Sequence, residues 1–358
     1  MRGWSVVAVG VLVMAVGCAV DEEATSIGEQ EATVRCPAFE CSNSEEMLHY
    51  GILDANLSGL PNLQGISLQT GVTGRAQIYA ANGTAYNLTV VGGRFKGTPV
   101  KSVGLPVPLE HAALAGSKIV FRRNGAPLFE IRIGRVRTMD YPLNQTGLPT
   151  QLEVYQMSWR STDGLEYGRN VCNGHETGDV PQPHGADDLM GMLEDETLVF
   201  EGDRYDAVAK TTSDATDANW FNFGCAGHTL AKLRLTRNTA VDGLSWQRRQ
   251  ATLKLLVADY CGTGQAFTVA GTPLRWKGDL MEYYPTPGTL EARWNERGAM
   301  CLDVPRLVEH PSDVFLNLTR QTIIDQCPAP KPPVCADHHV DPLDGALRVS
   351  ANPLPPPP

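Results

Sequence analysis

Between about Asn62 and Tyr167 apolar and polar residues alternate with a period of two, as strands with one buried face require. Asn82-Gly83 separates Arg75–Ala80 from Tyr86–Val90, where Tyr86, Leu88 and Val90 alternate with Asn87 and Thr89. Asn124-Gly125 separates Ile119–Phe121 from Leu128–Ile133, with Phe129, Ile131 and Ile133 on one face and Glu130 and Arg132 on the other. Asp163-Gly164 separates Leu152–Trp159 from Leu165–Tyr167. Such dipeptides tolerate the left-handed backbone of tight turns, so the spacing predicts three hairpins. Gly134 interrupts the alternation and predicts a bulge. An antiparallel β-sandwich or barrel-like domain over residues 36–150 is expected.

Further on the pattern changes. Thr177–Asp195 is rich in Gly, Pro and acids and reads as a long loop. Helices are predicted at Gly227–Leu235 and Gln247–Cys261. In the second, Leu253, Leu256, Val257 and Tyr260 share one face, and Gly262 would be its left-handed stop. Leu290–Trp294 and Met300–Val304 flank a four-residue turn, Asn295–Gly298. Residues 151–327 are thus expected to form an α+β domain within a mainly β chain. Proline dominates 328–358, predicting an extended, unpacked tail.

The first residues belong to neither domain. Arg2 precedes an apolar core from Trp4 to Val16, too short to span a bilayer, followed by Gly17-Cys18. That order makes 1–17 a lipoprotein-type signal peptide, with Cys18 as the lipidated first residue of the mature chain. An ordinary signal peptide that happens to contain a cysteine is the plainer alternative. Asp21, Glu22, Glu23, Glu29 and Glu31, with no basic residue from Ala19 to Val34, make 18–35 an acidic tether that cannot bury enough surface to fold. Ala19, in place of aspartate, leans toward the outer membrane by Gram-negative sorting logic. The expected location is the cell envelope, with the membrane met through a lipid anchor on the periplasmic or surface face.

Charge narrows the partners. With 30 basic and 40 acidic side chains the chain carries −10, which disfavours nucleic acid and anionic surfaces. Envelope protein, peptide or glycan remain as candidate ligands. Nine cysteines less Cys18 leave Cys36, Cys41, Cys172, Cys225, Cys261, Cys301, Cys327 and Cys335, an even set that reads as disulfides in an exported protein. Eight thiols allow 105 pairings. Sequence order suggests Cys36–Cys41 and Cys327–Cys335 as local loops, and Cys172–Cys225 and Cys261–Cys301 as longer staples worth roughly 4 kcal/mol each.

Motifs for chemistry are sparse. Cys172-Asn-Gly-His175 and Cys225-Ala-Gly-His228 could supply four zinc ligands, but a Cys172–Cys225 disulfide would remove both thiolates. Cys225 with His228 as a nucleophile pair needs a free thiol. No Gly-x-Ser-x-Gly, His-Glu-x-x-His, Ser-x-x-Lys or phosphate loop occurs, so no cofactor or metal is expected. His338-His339 falls in the proline tail. Trp220, Phe221, Phe223, Trp276, Tyr283 and Tyr284 are core and rim, or an aromatic cleft for a glycan or peptide. Asp259 in the last helical turn would face the negative dipole end, so it needs a donor: Arg293, Arg297 or a nearby backbone N–H.

Val257–Gly264 resembles the signature of the bacterial ADYC-domain family, named for Ala258, Asp259, Tyr260 and Cys261. Phe221–Cys225 with Leu230-Ala231-Lys232 looks like the family's upstream cysteine and Ala-Lys block. Leu290–Trp294 and Gly298–Cys301 look like its downstream strand pair. The likeness covers about Tyr155 to Arg306. It implies an exported, often lipidated protein with no assigned biochemical activity, and transfers no catalytic residue. Members often carry Ala-Lys-Cys and a matching cysteine on the next helix. This chain has Leu233 and no cysteine between Cys225 and Cys261, so Leu233 is expected to pack where that bridge would be. The combined reading is a non-enzymatic envelope lipoprotein with a binding or structural role. The alternative is an exported hydrolase or metal-binding protein using Asp259 with His175 or His228.

Overall fold

The alternating segments pair into one long antiparallel sheet. A computed structural model describes residues 63–64, 66–70, 74–100, 107–123, 126–140, 151–161, 169–172, 192–193, 195–268, 274–278, 290–306, 319–335 and 346–351. The sheet runs in the order β2 (Ile66–Ser67), β16 (Asp217–Cys225), β13 (Glu196–Gly202), β11 (Gln151–Ser161), β10 (Ala126–Asp140), β9 (Lys118–Arg123), β5 (Gln77–Tyr79), β6 (Ala85–Val90), β7 (Phe95–Pro99) and β8 (Leu109–Glu110), with β12 (Arg169–Asn170) on β11. β1 (Leu63–Gln64), β14 (Tyr205–Asp206) and β15 (Thr211–Thr212) form a small sheet, and β3 (Gln69–Thr70) pairs β4 (Gly74–Arg75).

Two hairpins form as the turn dipeptides dictate. Asn82-Gly83 joins β5 to β6, and β9 pairs β10 across position 124. Phe129, Ile131 and Ile133 are buried, and the ladder of β10 on β11 shifts register around Gly134, the expected bulge. Asp163-Gly164 lies outside the described residues. Phe95 of β7 meets Phe221 of β16 at 5.6 Å between ring centroids, although six strands separate them in the sheet. The sheet therefore curls over its own apolar face, which the barrel-like expectation anticipates. β10 and β11, on either side of the expected boundary at 150, pair from Phe129↔Ser161 to Asp140↔Gln151.

Against this sheet lie α1 (Thr229–Leu235) and α2 (Trp246–Leu256). α1 sits directly on β16, because Gly224 carries no side chain: a Cβ there would meet the Ala231 backbone at 3.0 Å. Leu233 is fully buried in one cluster with Leu253, Leu256 and Tyr260 of the α2 segment. A four-stranded sheet completes the fold, in the order β17 (Arg275–Gly278), β20 (Arg348–Ala351), β18 (Leu290–Asn295), β19 (Gly298–Leu302). Asn295 pairs Gly298, so the turn between β18 and β19 has two residues, Glu296-Arg297, and not four.

Within the expected unpacked tail, Arg348–Ala351 is instead a strand, β20, paired on both sides with Arg348, Ser350 and Ala351 buried; residues 336–345 and 352–358 lie outside the described residues. Cys172–Cys225 forms as expected, but the other staples are Cys261–Cys327 and Cys301–Cys335, not Cys261–Cys301 and Cys327–Cys335. A third helix, α3 (Arg320–Gln326), capped by Thr319, brings Cys327 to Cys261, where sequence order could not place it. Cys18, Cys36 and Cys41 lie outside the described residues. Among those described, no helix is long and apolar enough to cross a membrane.

Candidate functional site

The signature segment begins where α2 stops. The helix ends at Leu256 and Val257 caps it; Ala258 then turns left-handed at φ +52°. Ala258 N–H donates to Leu255 O and Asp259 N–H to Lys254 O, the paired bonds of a Schellman stop. Ala258, not Gly262, is thus the left-handed stop. Asp259 lies beyond the helix end, so the expected dipole conflict does not arise.

Asp259 is fully buried and tied by three donors. Its Oδ1 accepts from Thr263 N (3.0 Å), and its Oδ2 from Gly264 N (2.8 Å) and Lys254 Nζ (2.6 Å). The backbone N–H donors match expectation, whereas the cation is Lys254, one helical turn back. Arg297, offered as a partner by the sequence, is 88% exposed beside Glu296. Lys254 also donates to Ala209 O, joining α2 to the loop after β14. The β18–β19 turn seats by backbone on the loop that follows α2. Ala299 N donates to Tyr260 O, and a side chain at Gly298 would press on the Asp259 and Tyr260 carbonyls.

Tyr260 stacks on Trp294, with ring centroids 5.2 Å apart, and donates its hydroxyl to Glu291. Arg306 reaches the same Glu291 oxygen at 2.5 Å and the Leu255 carbonyl at 2.9 Å. Burial first, then the charge of Glu291, pushes the Tyr260 phenol well above its ordinary range, so it remains a protonated donor. Cys261 ends the motif in its bridge to Cys327. In physical terms Ala258 stops the helix, Asp259 knots three segments, Tyr260 fastens β18 and Cys261 staples α3.

Further buried charge surrounds it. Asp203 accepts from Arg249 Nε (3.0 Å), Ala240 N (2.8 Å) and Tyr205 OH (3.1 Å). Burial outweighs the Arg249 charge and raises the Asp203 carboxyl above the usual range. On the large sheet, buried Glu153 accepts from Tyr155 OH at 2.6 Å and meets His111 Nδ1, a half-exposed residue at φ +56°. Sequence reading missed both groups. The available signal was Glu153 within the otherwise apolar face carrying Tyr155, Met157 and Trp159.

Other sequence candidates fall elsewhere. The two Cys-x-x-His pairs are joined through their cysteines, so neither offers a thiolate, and Cys225 is no free nucleophile. His228 precedes α1, with its N–H on Cys225 O. The groups bonded to Asp259 are Lys254, Thr263 and Gly264, not a histidine. His175, His338, His339, Tyr283 and Tyr284 lie outside the described residues. Trp220, Phe221, Phe223 and Trp276 are core, not cleft.

Three disulfides fit an extracytoplasmic protein. A family model described as the ADYC domain matches residues 111–308, which takes in β9 to β19 and the whole signature. Comparison with curated proteins and with solved structures found no match.

Proposed function

The chain belongs to the ADYC-domain family, and from that premise we propose a lipid-anchored protein of the bacterial cell envelope with a binding or structural role. The observation that carries the reading is the commitment of the signature to the fold. A fully buried carboxylate, bound by a lysine and two backbone amides, stabilises the junction of α2, its following loop and the loop after β14. A reactive group needs access, and Asp259 is fully buried with a lysine and two backbone amides as its donors.

Anchoring rests on sequence: Arg2, the apolar run Trp4–Val16 and Cys18 are ordered as lipid modification requires, and the acidic stretch after Cys18 suits a spacer. Ala19 favours the outer membrane. Labelled fatty acid fed to producing cells is expected to enter the wild type and to be absent from Cys18→Ser. Equal labelling of the two would overturn the anchor.

A further inference from the structure

β17 and β18 do not pair with each other; β20 lies between them, antiparallel to both. The strand is reached only after Cys335, whose bridge to Cys301 fixes the preceding segment to β19, and residues 336–345 connect the two. Its contacts resemble those of a bound peptide. Arg348 Nε donates to Thr252 Oγ1 (2.8 Å) and its Nη2 to Asn238 Oδ1 (2.9 Å), both from the α1–α2 region. Ser350 Oγ accepts from Trp294 Nε1 at 2.8 Å. Val349 packs beside Leu290 and the Cys301–Cys335 bridge. Only one of the four strand residues is a large apolar side chain, so the strand is held by backbone pairing and two polar pockets.

We propose that the slot between β17 and β18 is a recognition site for an extended peptide with an Arg-x-Ser pattern, and that the chain's own Arg348–Ala351 fills it. Backbone ladders on both sides supply affinity for any strand, and the Thr252/Asn238 and Trp294 pockets supply the choice of side chain. Arg348 regains water when the strand leaves, and the strand takes only one large apolar side chain with it; these favour exchange against the cost of uncovering Trp294, which Ser350 contacts. The short connection holds the internal strand at a high effective concentration, so an outside peptide enters only when the internal one is withdrawn. This goes beyond the proposed function and does not depend on the Cys18 anchor.

The test uses the full chain with a protease site introduced within residues 336–345, cleaved under oxidising conditions. A fluorescent peptide of residues 345–353 is then added and followed by anisotropy, with near-ultraviolet circular dichroism reporting the fold. The expected result is saturable uptake with release of the cleaved strand, and at least tenfold weaker uptake of the Arg348→Ala peptide. Loss of the native spectrum on cleavage would make β20 part of the core and overturn the proposal. So would absence of exchange, or equal uptake of the two peptides. Concentration-dependent dimers of the uncut chain would assign the slot to a second copy and overturn the internal-ligand reading.

Discussion

In the large sheet Glu130 meets Arg160 and Lys118, whose side chains are about half exposed, whereas around the signature Lys254 meets Asp259 and Arg306 meets Glu291 with at most 2% exposure on either side. The two regions solve the same problem differently. The sheet excludes water with Phe95, Phe121, Ile131, Phe221 and their neighbours and leaves its cations at the rim. Around α2 the core includes Arg249, Lys254 and Arg306, each placed by specific acceptors. Rim pairs contribute little, because water screens them and long side chains lose freedom on pairing. A buried pair offsets its own desolvation only while both partners remain, so breaking it costs more than the pair is worth. The second region therefore has one permitted arrangement of its charges, and Cys261–Cys327 and Cys301–Cys335 hold it.

The largest effect is expected from Glu291→Gln, which leaves the buried Arg306 without its counter-charge and weakens the Tyr260 bond. Roughly 3–5 kcal/mol of stability should be lost, about 6–20 °C in melting temperature by calorimetry. Next, replacing both Cys261 and Cys327 by serine opens a loop spanning 66 residues in sequence. Chain entropy sets its contribution at about 4 kcal/mol at most, read from the denaturant midpoint with the other bridges intact.

The smallest effect sharpens the comparison by pH. Burial holds the Asp203 carboxyl above the usual range. For Asp217 burial also raises it, but the bonds from Arg204 and Asn219 prevail and its carboxyl lies below that range. Asp203 therefore adds stability below its unfolded pKa, and that addition disappears as pH rises through its folded value. Asp217 adds stability above its unfolded pKa and loses it as pH falls through its folded value. Carboxyl carbon shifts followed by NMR should show Asp203 titrating at higher pH than Asp217; the reverse order would remove the contrast.

What the residues disclose by themselves follows the range of the interactions. Hairpins at Asn82-Gly83 and Asn124-Gly125, the bulge at Gly134 and both helices near Thr229 and Trp246 depend on neighbours a few positions apart, so periodicity and turn chemistry find them. The end of α2 was misplaced because Ala258 adopts a conformation that the sequence assigns to Gly262. That shift hid Lys254, which reaches Asp259 only after the helix has stopped and the chain has doubled back. β20 escaped notice because Arg348 and Ser350 point inward from a strand among prolines, where alternation signals nothing. The cysteine pairing depended on α3, seven largely polar residues with no apolar period.

The most direct measurement compares two carboxylates of like chemistry, one paired with a buried cation and one with half-exposed cations. Asp259→Asn and Glu130→Gln each keep shape and remove one charge, the first facing a buried lysine and the second facing cations at the sheet rim. Thermal melts of both, at neutral pH, should show Asp259→Asn losing roughly 3–5 kcal/mol and Glu130→Gln less than about 1 kcal/mol. An Asp259→Asn protein as stable as the parent would contradict the account of the signature as a structural knot, and would direct the search for activity to the surroundings of Tyr260.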